Sequence, residues 1–187
     1  MSAESIPAAV AERVKLVILD VDGVLTDAGV YMGEDAEGRS IELKRFDIQD
    51  GLGVKMLMWG GLDVAIVSGR VSAATAIRAR ELGVEECHQE PDAHKLKVVE
   101  KLLERKGVAW DQVAMVADDI PDLAVLKRVG LKAVVANATE PVIRVADWQS
   151  TRHGGRGAVR EFCDALLQAR GDLERIVDEY VEDRSRT

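Results

Sequence analysis

Aromatic residues make up only 4% of this 187-residue chain. Any core it builds must therefore be aliphatic, drawn from Val, Leu, Ile and Ala. Cysteine is nearly absent. Cys87 and Cys163 stand far apart and form no CxxC, which points to inert thiols in a reducing compartment and away from a disulfide framework. No apolar run approaches the ~20 residues a membrane helix needs. Met1–Arg13 carries Glu4 and Glu12 and lacks a basic region ahead of an apolar stretch, so no signal peptide is expected and the expected location is the cytoplasm. Positive charge is in deficit, with a net charge of −8 and a pI of about 5.0. An acidic surface repels phosphate backbones and argues against nucleic acid. What is present is ordinary for a soluble globular protein: 47% apolar and 31% charged residues, in a length that suits one domain across 1–187. Its core is expected over about 14–169, with a charged tail over 170–187.

The pattern along the chain alternates strand and helix. Val14–Asp20 is a continuous apolar run ending in a carboxylate, as expected of a strand buried on both faces. Leu62–Ser68, Val113–Asp118 and Leu131–Ala136 read alike, with weaker signals at Val84–His88 and Asp147–Thr151. Helices are expected over Gly51–Trp59, Ser72–Leu82, Ala93–Lys106, Pro121–Val129 and Gly157–Ala169. In the third, Leu96, Val99, Leu102 and Leu103 keep helical spacing. Gly83, Gly107 and Gly130 fall where helices would end. The fold class is therefore α/β: a Rossmann-like parallel sheet flanked by helices on both faces. Ala28–Phe46 breaks the alternation and reads as a projecting β-hairpin. A short helix is expected around Leu173–Val181, followed by a mobile end.

In open parallel sheets, ligands bind beyond the carboxyl ends of the strands. There the sequence places Asp20, Asp22 and Thr26 after one strand, and Ser68, Gly69 and Arg70 after the next. Lys95 stands at the start of a helix, and Asp118, Asp119 and Asp122 follow a later strand. Such a set suits phosphoryl transfer. A carboxylate can attack phosphorus, and carboxylates from two loops can hold Mg²⁺. A hydroxyl, an ammonium and backbone N–H groups can stabilise the equatorial oxygens. A second carboxylate can protonate the leaving oxygen and then activate water.

These residues also carry a resemblance. Asp20-Val21-Asp22-Gly23-Val24-Leu25-Thr26-Asp27 resembles the first motif of the haloacid dehalogenase superfamily, Ser68-Gly69-Arg70 its second, Lys95 its third and Asp118-Asp119 its fourth. The hairpin with Glu42–Phe46, the Asp50–Gly53 string, Gly154–Glu161 and the lack of room for a large cap resemble the 3-deoxy-D-manno-octulosonate 8-phosphate phosphatase group. The resemblance implies Asp20 as nucleophile and Asp22 as general acid/base. It implies phosphate or substrate contacts from Ser68, Gly69, Arg70 and Lys95. Mg²⁺ would be held by Asp20, the Asp22 carbonyl and Asp118, with Asp119 supporting the metal site. It also implies a phosphorylated sugar acid as substrate, a homotetramer assembled through the hairpin, and a tail that reaches a neighbour. Three departures from the pattern stand out: Ala117 for Gly, Ser68 for Thr, and a longer Gln89–His94 loop with Glu90 where Gly is common.

Blander readings exist for several residues. DxD can be a turn, Ser68 a helix cap, Lys95 a solvated lysine, and Asp118/Asp119/Asp122 a capping cluster ahead of Pro121. Asp122 reads as structural or supporting. His88, His94 and His153 lack zinc spacing. Gly154-Gly155-Arg156-Gly157 fails as a nucleotide loop because Arg160 holds the last position of GxGxxG, and reads as a helix-start turn open to a substrate or interface role. Trp59, Trp110 and Trp148 read as packing residues. Rival functions are a nonulosonate 9-phosphate phosphatase, a phospho-aspartate receiver domain and a non-catalytic assembly module. Asp22 disfavours the receiver, which has no acid/base two residues after its nucleophile.

Overall fold

The computed structural model describes residues 5–186. Met1–Glu4, the start of the stretch read for a leader, and Thr187 lie outside the described residues. The strands are β1 Leu16–Leu19, β2 Tyr31–Glu34, β3 Ser40–Leu43, β4 Asp63–Ser68, β5 Glu86–Gln89, β6 Val113–Ala117, β7 Leu131–Val134 and β8 Trp148–Gln149. The helices are α1 Ala8–Ala11, α2 Ile48–Trp59, α3 Ala73–Leu82, α4 Lys95–Lys106, α5 Leu123–Leu126, α6 Glu140–Ile143, α7 Ala158–Arg170 and α8 Leu173–Ser185. Six strands form one parallel sheet in the order β5-β4-β1-β6-β7-β8.

β1 is apolar throughout because both of its faces are covered. Leu16 and Ile18 join one core with Val99 and Leu102 of α4 and Val125 and Leu126 of α5. Val17 and Leu19 point the other way, into a core with Leu57 of α2 and Phe162, Leu166 and Leu167 of α7. Each such side chain contributes about 1.5–3 kcal/mol on burial, so a one-residue slip of β1 would exchange two packed cores. From β1 the chain runs outward to β4 and β5, then returns to the other side of β1 at β6. The reversal opens a crevice between the carboxyl ends of β1 and β6, the usual ligand position in such sheets. Among the described residues no large cap domain covers it. No helix among the described residues is long and apolar enough to cross a membrane.

The hairpin forms as its alternation suggested, with Tyr31 opposite Leu43 and Met32 opposite Glu42. Asp35 closes the turn by accepting N–H bonds from Glu37 and Arg39 at 3.0 and 2.8 Å.

Several boundaries differ from the sequence reading. α2 begins earlier, at Ile48, because Asp47 caps it by accepting from Gln49 N at 2.8 Å. The expected Pro121–Val129 helix is a single 3₁₀ turn, Ile120–Asp122, followed by the short α5. Gly83 and Gly107 do end helices in the left-handed conformation. Gly130 does not; it is small because a Cβ there would lie 2.3 Å from the Asp111 carbonyl. The expected mobile end past Val181 is instead helical to Ser185. Arg175 bridges Asp172 and Glu179, and Arg186 reaches Glu182, along its surface. Ile176 is buried and Tyr180 stacks on Trp59, with ring centroids 5.4 Å apart. The two cysteines are unpaired.

Candidate active site

The crevice at the β1/β6 switch point holds the acids the sequence singled out. Asp20 follows β1, Asp118 follows β6, and Lys95 opens α4. Lys95 Nζ lies 2.6 Å from Asp20 Oδ1 and 2.7 Å from Asp122 Oδ1, with only 3% of its side chain exposed. This excludes the solvated-lysine reading. One carboxylate oxygen from each of Asp20, Asp118 and Asp122 falls within 4.8 Å of the others. Asp20, Asp22, Arg70, Lys95, Asp118 and Asp122 line a cavity of about 260 Å³.

The loop after β1 is shaped by two small residues. Gly23 takes φ 98°, a left-handed conformation. A Cβ there would sit 1.9 Å from Asp118 Oδ2, so only glycine lets this loop lie against the second carboxylate. Thr26 is fully buried. Its hydroxyl donates to the Val21 carbonyl at 3.1 Å and accepts from Gly23 N and Ala28 N at 3.4 and 3.3 Å.

Electrostatically the cluster is short of positive charge. Burial raises the Asp20 carboxyl while Lys95 opposes the rise. Burial, then the Asp20 charge, pushes Asp118 up to about 7. The same two causes, in the same order, hold Asp122 well above the carboxylate range. Burial alone would lower Lys95; Asp20 and Asp122 override it and raise the ammonium. Asp118 Oδ1 is buried without a hydrogen-bond partner. Two buried acids, Asp20 and Asp122, bridged by one lysine, with the half-buried Asp118 and its orphaned oxygen beside them, fit a divalent cation bound by oxygen ligands.

The other expected residues are distributed unevenly. Gly69 and Arg70 line the cavity. Ser68 is fully buried, and its hydroxyl exchanges 3.2 Å bonds with the backbone of Arg70; it is not the cap of α3, which Ser72 precedes. Arg70 reaches the hairpin, 2.8 Å from Glu42 Oε2. Asp119 lines the rim, but its carboxylate accepts from Ile120 N at 2.8 Å and from the Thr139 hydroxyl at 3.1 Å. The longer loop before Lys95 turns at Ala93, φ 54°, close against Gly69. Ala117 is packed in the second core, where its methyl is accommodated.

Sequence reasoning overlooked Lys44. Its side chain is fully shielded, and its Nζ lies 2.6 Å from Asp22 Oδ1. Period-two alternation in Glu42-Leu43-Lys44 already puts Glu42 and Lys44 on one hairpin face, which was the available signal. Asp122, read as structural or supporting, is 1% exposed and bound to Lys95.

A parallel sheet presenting this acid–lysine cluster at its switch point defines a hydrolase of the haloacid dehalogenase-like class, and the model of haloacid dehalogenase-like hydrolases matches residues 89–162. The 3-deoxy-D-manno-octulosonate 8-phosphate phosphatase KdsC of Escherichia coli K12 is 42% identical over 164 residues, covering 88% of this chain and 85% of that protein. The Moraxella catarrhalis 3-deoxy-D-manno-octulosonate 8-phosphate phosphatase, solved with magnesium, phosphate and KDO, superposes with a TM-score of 0.85 at 35% identity, covering 92% of this chain and 97% of that one. The cobalt-bound Haemophilus influenzae phosphatase gives 0.79 at 38% identity, covering 88% and 93%. The chain belongs to the 3-deoxy-D-manno-octulosonate 8-phosphate phosphatase family.

Proposed function

We propose that this chain hydrolyses the phosphomonoester of 3-deoxy-D-manno-octulosonate 8-phosphate, with Asp20 as nucleophile, Asp22 as general acid/base and Mg²⁺ as cofactor. The observation that supports this most is the buried Asp20–Lys95–Asp122 bridge with Asp118 beside it, at the open end of β1 and β6. Asp20, Asp118 and the Asp22 carbonyl would hold Mg²⁺, which offsets repulsion between an anionic nucleophile and an anionic phosphate.

Asp20 attacks phosphorus, forming an aspartyl-phosphate as the bond to the sugar oxygen breaks. Asp22 gives its proton to that departing oxygen. Asp22 then takes a proton from water, whose oxygen attacks phosphorus and releases Asp20 and inorganic phosphate. Lys95 neutralises an equatorial oxygen, with Ser68 and the Gly69–Arg70 backbone beside it. Arg70, with a planar guanidinium suited to carboxylates, meets the sugar acid. Lys44 holds the Asp22 side chain from the hairpin, and Asp119 supports the metal loop from the rim.

The site is open on one side, and the hairpin bears Tyr31, Met32, Ile41 and Leu43 exposed to solvent. That surface supports assembly of a homotetramer in which neighbours complete the site, in the cytoplasm. Light scattering at micromolar protein tests the assembly; a monodisperse monomer contradicts it. A phosphate-release screen of sugar-acid phosphates with Mg²⁺ tests the substrate. Faster release from a nonulosonate 9-phosphate would reassign it, and phosphate retained on the protein without turnover would indicate a receiver.

A further inference from the structure

The Gly154-Gly155-Arg156-Gly157 turn is left unexplained by phosphate chemistry, and it touches the nucleophile loop from behind. Gly155 N donates to the Val24 carbonyl at 2.9 Å. A Cβ on Gly154 would lie 1.7 Å from the Gly23 carbonyl, and one on Gly155 would lie 2.4 Å from Asp27 N. The turn is thus backbone pressed on backbone, against the segment whose other side bears on Asp118 through Gly23.

The turn in turn needs holding. It leads into α7, whose cap residue is Gly157 and supplies no side-chain acceptor. The first N–H groups of a helix lack internal partners. Asp50, one helix away in α2 and 1% exposed, supplies the acceptors instead: Oδ2 for Gly157 N at 3.3 Å and Oδ1 for Arg160 N at 2.8 Å. Arg45 adds a second tether by donating to the Gly155 carbonyl. A buried carboxylate is costly unless it is hydrogen-bonded, and both Asp50 oxygens are used at this helix start.

We infer that Asp50 is a positioning residue for the reaction. By anchoring the start of α7 it presses the Gly154–Gly157 turn onto the loop bearing Asp20, Asp22 and Gly23, and fixes that loop's distance from Asp118. The inference rests on the phosphatase reading and deepens it. Misplacement of reacting groups by about 1 Å costs on the order of 10²-fold in rate.

The test compares Asp50→Ala, Asp50→Asn, Arg45→Met and the core control Leu166→Ala, assayed for Mg²⁺-dependent phosphate release well below each variant's Tm. Asp50→Ala should lower kcat by about tenfold or more with KM changed less than about threefold. Asp50→Asn, which keeps one acceptor oxygen, should recover part of the loss. Leu166→Ala lies fully buried on the same helix; it should lower Tm yet keep kcat near wild type. Arg45 is 40% exposed, so Arg45→Met leaves the fold intact and should lower kcat in the same sense. Wild-type kcat in Arg45→Met and in whichever Asp50 variant folds overturns the inference, as does an equal kcat loss in Leu166→Ala. Absence of any release by the wild-type protein would instead sink the phosphatase reading.

Discussion

Replacing Asp118 with Asn should stabilise the metal-free protein while destroying its function. Burial and the Asp20 charge push the Asp118 carboxyl up to about 7 from an ordinary 3.8. Each unit is worth ~1.4 kcal/mol, so the folded state loses at most ~4 kcal/mol to this one group at neutral pH. The direction follows from the raised folded value. The loss is absent below the unfolded value, grows as pH rises, and is complete once pH exceeds about 7. An amide removes the charge but leaves a buried polar group unpaired, costing about 1–3 kcal/mol. The net gain is roughly 2 kcal/mol, or roughly 4–8 °C in Tm for a chain of this size. The assay is thermal unfolding in EDTA at about pH 7.5 and about pH 4.5. The variant should melt higher than wild type at the upper pH, with the gap shrinking at the lower. Added Mg²⁺ should raise the Tm of wild type much more than that of the variant, since a ligand stabilises only the state that binds it. A variant that melts below wild type in EDTA at the upper pH, or a gap that ignores pH, would refute the reasoning.

Two further substitutions probe the loop and the hairpin. Gly23→Ala places a methyl in a left-handed conformation and against Asp118 Oδ2. It should cost about 1–3 kcal/mol of stability and sharply raise the Mg²⁺ concentration needed for half-maximal activity, and an unchanged metal requirement would count against the packing argument. Lys44→Met removes the shielded partner of Asp22. General acid/base groups supply about 10²–10⁴-fold, so kcat should fall by roughly tenfold or more with little change in Mg²⁺ affinity; wild-type kcat would show that Lys44 does nothing for Asp22.

Most of the fold was legible because burial on both faces forces a readable pattern. β1 and β6 are apolar throughout, and β4 and β7 are broken only by Asp63 and Ser68 at the ends of β4 and by the half-buried Lys132 in β7; a strand that must satisfy two cores has little other option. Asp20 and Asp22 were legible because an unbroken string, Asp20 to Asp27, carries them on one loop. Features that depend on distant partners were harder to read. Nothing local marks Asp122 as buried rather than capping; the Lys95 ammonium, 27 residues away, decides it. Lys44 reads as one more hairpin charge until the hairpin folds over Asp22, 22 residues earlier. Asp50 looks like a first-turn acid of α2, yet its bonds go to α7, 107 and 110 residues on. Leu173, Ile176, Val177, Tyr180 and Val181 keep helical spacing in α8, but its last turn was hidden because past Val181 it has no apolar residue and is tied by surface ion pairs such as Arg186 with Glu182.

Phosphate release from 3-deoxy-D-manno-octulosonate 8-phosphate in Mg²⁺, followed side by side for the wild-type protein and Asp20→Asn, addresses the reaction itself. Repeated turnover by the first and none by the second, with the variant still folded by circular dichroism, is the predicted result. Turnover by folded Asp20→Asn at a rate near wild type would mean that phosphorus is attacked by some other group.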